Sequence, residues 1–196
     1  MTTIVTTTST EFSTVYGDEG ITSDLIHPNM RKVAQQGTWL IAACGEDRVC
    51  DVLQYVVKYP VVPKYLESKP SNQWYSWLAT QVVPKVDAAV EKSMPKAYKH
   101  SIGDSQLLLV THGKAFLIGE TLGVTLAEPY WSIGSGSHMA LGALANSVKS
   151  ANWTANHHKH AENAIKTAMT HDPYTRGNIT GYLSYPDGSV VHSGDM

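Results

Sequence analysis

The first pattern along the chain is a run of β-branched side chains, TTIVTTT at residues 2–8. Such side chains are stiff at χ1 and pack well on a pleated surface, so a strand is expected to start at once at Thr2. After a turn-prone STEFS, Thr14 to Tyr16 leads into Gly17-Asp18-Glu19-Gly20. Two glycines bracketing two acids predict a strand that runs into a sharp loop. A second apolar run, Thr38 to Cys44, stops at Gly45 and is followed by Val49, Val52, Leu53, Val56 and Val57 at helical spacing. A buried strand turning directly into a helix is the natural reading. Trp74, Trp77, Leu78, Val82, Val86 and Val90 keep the helical period, and Pro84, which has no N–H to donate, is expected to divide that stretch into two pieces.

Further on, Gln106 to Val110 and Lys114 to Ile118 flank His112-Gly113, the pattern of a hairpin. Tyr130 to Ile133 then runs into Gly134-Ser135-Gly136-Ser137, and small and apolar residues from Met139 to Val148 suit a closely packed helix. A second helix is expected over about Asn156 to Thr170. Ile179 to Tyr185 and Val190 to His192 bracket the turn signal Pro186-Asp187-Gly188. The order is therefore strands, helices, strands, helices, strands. Segregated blocks of this kind imply an α+β fold in layers, since strict βα alternation would suggest a parallel sheet.

Composition narrows the class. With 196 residues, 42% of them apolar, the chain can bury one substantial core, and a single domain over 1–196 is expected. Fifteen Lys and Arg against 17 Asp and Glu leave a net charge of -2 and no basic footprint for nucleic acid. Without a long apolar run or a signal-peptide pattern, the expectation is a soluble cytoplasmic protein that does not enter a membrane. Cys44 and Cys50 fit neither a redox pair nor a zinc half-site and read as free thiols. The sequons at Asn152 and Asn178 would matter only in a secreted chain.

The candidate chemistry begins at Met1-Thr2. A small residue after the initiator methionine permits its removal, which would leave Thr2 as a new N-terminus. A threonine hydroxyl is a weak nucleophile, but an α-amino group with a pKa of about 7.7 to 8.0 could accept its proton. On its own this is a weak signal, because many chains begin Met-Thr.

Thr2-Thr3-Ile4-Val5, Gly17-Asp18, Arg31-Lys32-Val33, Ala42-Ala43-Cys44-Gly45-Glu46, Ile133-Gly134-Ser135-Gly136-Ser137 and Asp172-Pro173-Tyr174-Thr175-Arg176-Gly177 together resemble the motifs of the proteasome β-subunit and HslV peptidases. The resemblance spans nearly the whole chain. It implies an N-terminal-nucleophile (Ntn) hydrolase with a four-layer αββα sandwich, mature once Met1 is removed. It also implies roles for particular residues. Thr2 would be the nucleophile, with Asp18 and Lys32 beside it, and the Lys32 charge would keep the Thr2 amine unprotonated near neutrality. Gly45, at a helix start, would supply the oxyanion N–H. Ser135, Asp172 and Thr175 would surround the amine, with Thr175 in place of the family's usual serine. Ile21, Ala43 and Val49 would line the substrate pocket, although Val49 stands near where the family often has an acid.

Rival readings of the same residues are weaker. Gly134-Ser135-Gly136 could open a dinucleotide loop, but Met139 occupies its last glycine position. His157, His158 and His160 could suggest a metal, yet ligands usually come from several elements, so this stretch is expected to be a solvated polar helix face. No metal or organic cofactor is called for. The activity implied is threonine-type peptide hydrolysis on peptides or unfolded proteins, within a homo-oligomeric ring and with an ATP-dependent unfoldase as a possible partner. Two alternatives stay open: a non-compartmental amidohydrolase acting on small amides, and a catalytically silent ring subunit, against which the filled catalytic positions argue.

Overall fold

The structure is a computed structural model that describes residues 2–20, 32–94 and 100–195. Among the described residues, ten strands form two sheets. One has the order β10-β9-β2-β1-β8, built from β1 (Thr3–Thr8), β2 (Ser13–Asp18), β8 (Tyr130–Gly134), β9 (Ile179–Ser184) and β10 (Val190–His192). The other has the order β3-β4-β5-β6-β7, from β3 (Val33–Gln36), β4 (Trp39–Cys44), β5 (Gln106–Thr111), β6 (Lys114–Ile118) and β7 (Val124–Leu126). Every strand pair is antiparallel.

The alternation of side chains along each strand sorts them between three cores, and this is what makes four layers. On β4, Leu40, Ala42 and Cys44 point between the sheets, where they meet Ile4, Val15, Ile133 and Tyr182 of the first sheet. Trp39, Ile41 and Ala43 point the other way, into a core shared with the helical layer. That layer comprises α1 (Asp47–Asp51), which continues through a π turn at Val52–Val56, then α2 (Lys64–Glu67), α3 (Tyr75–Trp77) and α4 (Val83–Ser93). On the far side, Val5 and Tyr16 pack against α5 (Ser137–Ser147) and α6 (Trp153–His171). The fold is the αββα sandwich of Ntn hydrolases, as the resemblance implied.

Two expectations change. The stretch around Pro84 is one helical run rather than two pieces: a 3-10 turn at Ser71–Trp74 passes into α3, a π turn at Leu78–Val82 and then α4. Pro84 stands in the first turn of α4, directly after the widened π turn, so its missing donor falls at a junction instead of interrupting a regular helix. The second change concerns His157. It was expected to be solvated, but Trp153, His157, Ala161, Ala164, Ile165 and Ala168 follow one face of α6, and that face lies on the first sheet. His157 is completely buried. Cys44 and Cys50 are free thiols, the first buried and the second half-buried.

Candidate active site

One end of the sandwich collects the polar residues picked out in the sequence. β1 pairs with β2 so that Ile4 lies opposite Gly17, which brings Asp18 beside the start of β1. The Thr2 hydroxyl donates to Asp18 Oδ1 at 2.5 Å, and the Thr3 N–H donates to the same oxygen at 2.6 Å. Asp18 Oδ2 accepts the Arg176 N–H at 3.3 Å. Asp18 has no exposed surface. Burial pushes its carboxyl above the ordinary value, opposed by the bonds from Thr2, Thr3 and Arg176 and by the charge of Lys32. Lys32, half-buried just before β3, lies against Gly17: a Cβ on that glycine would come 3.2 Å from Lys32 Cβ.

A second carboxylate closes the cluster from the other side. Asp172 terminates α6, and its Oδ2 accepts both the Ser135 and the Thr175 hydroxyls, each at 2.6 Å. Tyr174 N–H donates to Oδ1 at 3.1 Å. Burial alone would raise this carboxyl, but the three donors outweigh it and its pKa lies below the ordinary value. Ser135 also fixes the start of β1, since its N–H donates to the Thr2 carbonyl at 2.8 Å. Gly134 makes that approach possible, with φ of +98° and the Thr2 carbonyl occupying the space a Cβ would need.

Between the two acids runs a chain of hydrogen bonds whose direction is determined. Thr175 commits its proton to Asp172, so at the 2.5 Å contact between the two hydroxyls Thr3 donates and Thr175 accepts. Thr3 Oγ1 in turn accepts the Gly136 N–H at 3.1 Å. Thr3, Gly136 and the Arg176 backbone were not singled out in the sequence. In the sequence Thr3 stands only as part of its motif and has no role of its own, because alternation along β1 turns its side chain away from that of Thr2.

Gly45 is exposed at the end of β4, one residue before Glu46 caps α1. The adjoining Cys44 thiol is pushed up to about 12, chiefly by burial, and the charge of Lys32 is among the influences opposing this. Val33 pairs with Ala42, so Lys32 lies beside the end of β4, at the same end of the sandwich as the Gly45 turn. The proposed pocket residues are placed differently. Ile21 lies outside the described residues. Ala43 and Val49, 4% and 0% exposed, belong to the core between the second sheet and its helices. The outward alternation of β4 and the inward face of α1 send them there, so as placed they offer a substrate almost no surface.

The layers and the position of β1 define the class: a fold of the Ntn-hydrolase type whose first strand opens between two buried carboxylates. Residues 92–183 match the family model described as proteasome subunit. The structure is similar to that of BPH from Thiobacillus denitrificans, solved alone (TM-score 0.70, 14% identity, 94% of this chain and 98% of that one) and in complex with epoxomicin (TM-score 0.71, 14% identity, 93% and 98%). It is also similar to eukaryotic HslV from Trypanosoma brucei, with a TM-score of 0.64 and 15% identity over 93% of this chain and 99% of that one. No curated protein matches the chain by sequence. The resemblance to proteasome β-subunits and HslV is thus carried by sequence over residues 92–183 and by fold over nearly the whole chain. Among the described residues no helix is long and apolar enough to cross a membrane, and no cluster of His, Cys, Asp and Glu could hold a metal.

Proposed function

We propose that the protein, as a single domain, is a threonine-type peptidase in which Thr2 becomes the nucleophile once Met1 is removed. The observation that carries this reading is the tethering of Thr2 at two points, its hydroxyl on Asp18 and its carbonyl on the Ser135 N–H, with Ser135 itself held on Asp172. While Met1 is attached, the Thr2 nitrogen is an amide and cannot act as a base. With Met1 gone, the amine lies beside Ser135, Asp172 and Thr175, and takes the hydroxyl proton as Oγ attacks a peptide carbonyl. The Gly45 N–H stabilises the resulting oxyanion, the amine returns the proton to the leaving nitrogen, and water releases the acyl group. Lys32 lowers the proton affinity of the amine through its charge. Peptides or unfolded proteins are the substrates, and a cytoplasmic homo-oligomeric ring, fed by an ATP-dependent unfoldase, is the setting that the likeness to HslV and proteasome subunits favours.

Intact-mass analysis tests this directly. The purified protein should have lost Met1 and should gain one equivalent of epoxomicin, the compound bound in one of the similar structures. The adduct should map to Thr2 and be absent from Thr2→Ala. Retention of Met1, or an adduct that survives Thr2→Ala, would overturn the mechanism. Native mass measurement addresses the setting: a ring supports the compartmental peptidase, whereas a monomer or dimer that cleaves small amides supports an amidohydrolase.

A further inference from the structure

The turn that presents Gly45 cannot hold its own conformation by hydrogen bonds within the strand ladder, because β4 stops pairing with β5 at Cys44 and Gln106. What fixes it is Ser105, the residue just before β5. Ser105 is 1% exposed, and its hydroxyl oxygen accepts the N–H of Glu46 at 3.2 Å. Its own N–H donates to the Ile102 carbonyl at 3.2 Å, and Ile102 is completely buried, so Ser105 is anchored to the core from below. Gly45 sits directly on it. At φ of +122° a Cβ there would come 2.5 Å from both Ser105 Cα and Oγ. The turn is therefore clamped on both sides of Gly45, by the ladder through Cys44 and by the Ser105 hydroxyl through Glu46.

We propose that Ser105 is the positioning residue for the Gly45 N–H, an inference that rests on the reading of Gly45 as the oxyanion donor. An oxyanion donor acts only if it is aimed before charge develops; the N–H of Gly45 lies in the Cys44–Gly45 peptide plane, and the two dihedrals of Gly45 couple that plane to the next one. Ser105 holds the second of those planes, Gly45–Glu46, by accepting from its N–H. Removing the hydroxyl leaves the Glu46 N–H without that acceptor and lets the plane rotate. The loss falls on steps in which a carbonyl oxygen becomes an anion, and not on the nucleophile itself.

Two electrophiles separate these effects. A β-lactone is opened by Thr2 Oγ through a tetrahedral oxyanion: the Oγ–C bond forms, the ring C–O bond breaks, and the proton passes by way of the amine to the released alkoxide. A peptide vinyl sulfone adds Thr2 Oγ at carbon, with the proton delivered to the neighbouring carbon, and passes through no carbonyl oxyanion. The experiment measures both adduct rates by intact mass for wild type, Ser105→Ala, Ser105→Cys and Thr2→Ala, with thermal unfolding as the control for folding. Ser105→Ala should slow β-lactone acylation on the order of tenfold, a part of the 10²–10³-fold that loss of a whole donor costs, while vinyl sulfone addition stays within about twofold. Ser105→Cys, which keeps a weaker acceptor in the same place, should fall between wild type and Ser105→Ala. Equal slowing with both reagents means a general structural role, and no slowing with the β-lactone means no role; either overturns the proposal. Absence of any Thr2 adduct in folded wild type would instead remove the function on which it rests.

Discussion

Strand β1 has a buried polar network at each end, and the two differ in where charge is kept. At its start, the hydroxyls of Thr2, Ser135 and Thr175 and the backbone N–H groups of Thr3, Gly136, Tyr174 and Arg176 converge on Asp18, Asp172 and the Thr3 hydroxyl. At its other end, Thr7 Oγ1 lies 2.7 Å from Thr14 Oγ1, 2.8 Å from His157 Nδ1 and 3.2 Å from the His157 carbonyl. The Phe12 ring covers the imidazole at a centroid separation of 4.3 Å, and His157 Nε2 has no hydrogen-bond partner among the described residues. Desolvation, reinforced by His158 and His160, holds His157 down to about 4 and so neutral at ordinary pH. The same residue type, threonine on one strand, thus serves two purposes. Beside carboxylates it forms a polarised cluster at the same end of the sandwich as the exposed Gly45 turn. Beside a neutral imidazole under an aromatic lid it makes a sealed contact between sheet and helix.

Removing charge from the first network should have the largest effect. In Asp18→Asn the side chain keeps one acceptor oxygen for the Thr2 hydroxyl and Thr3 N–H, but its amide then opposes the Arg176 N–H, donor against donor. Turnover of a peptide substrate should fall on the order of 10³-fold, the scale of losing a positioned acid–base partner. Steady-state kinetics alongside circular dichroism would check this. A folded variant with near-normal turnover would place the charge elsewhere.

The second network should govern acid stability and not activity. Because the folded state keeps His157 neutral, the unfolded chain takes up a proton first as pH falls below the ordinary 6.5. Its contribution is whole above that value and is lost progressively as pH falls to about 4. The shift corresponds to at most about 3 kcal/mol. Urea unfolding of wild type and His157→Gln at pH 7.5 and pH 4.5 should show a smaller acid loss in the variant, with peptidase rate at pH 7.5 unchanged within about twofold. Asp172, whose carboxyl is depressed, loses its stabilisation in the same direction but below the ordinary carboxylate value, so the two windows are separable. An acid loss as large in the variant as in wild type would exclude His157 as its source.

A steric wedge distinguishes the ends in another way. In Gly136→Ala the new methyl would collide with Thr3 Oγ1 and come 2.8 Å from Thr175 Oγ1 and 2.9 Å from Ala168 Cβ. Overpacking of this kind costs about 2 kcal/mol, and it should also displace the hydrogen-bond chain that ends on Asp172. Thermal unfolding and turnover should therefore fall together here, whereas in His157→Gln they separate.

Much of this arrangement was legible in the sequence, for identifiable reasons. Strands that end at glycines with positive φ, such as the β5–β6 hairpin with φ of 48° at His112 and 67° at Gly113, announce their own turns. The edge strands of the second sheet do not. β3 (VAQQ) buries only Val33 fully and β7 (VTL) has three residues with none fully buried, so neither shows an apolar alternation. His157 was misread because its neighbours His158, Lys159 and His160 are polar, although its spacing of four from Trp153 and Ala161 marks the inward face. The two aspartates could be picked out only through the family resemblance, since an isolated acid has no periodicity. Thr3 stands within one of the family motifs but has no role there, and Ser105 lies outside every motif; the importance of each lies in partners 172 and 59 residues distant.

The smallest effect should come from Thr175→Ser, and it sharpens the comparison most. Thr175 is 2% exposed, so the lost methyl should cost on the order of 1 kcal/mol. The hydroxyl remains to accept from Thr3 and donate to Asp172, and turnover should stay within about threefold of wild type. Thr175→Val keeps the shape and removes the hydroxyl, which strips Asp172 of a donor and leaves the Thr3 hydroxyl facing a methyl group. Leaving such buried groups unsatisfied costs about 1 to 3 kcal/mol, and turnover should fall on the order of tenfold. Parallel measurement of unfolding and peptide hydrolysis in the pair decides between hydroxyl and packing. If valine behaves like serine, the chain from Gly136 to Asp172 only fills space, and the start of β1 is no more specialised than the sealed end at His157.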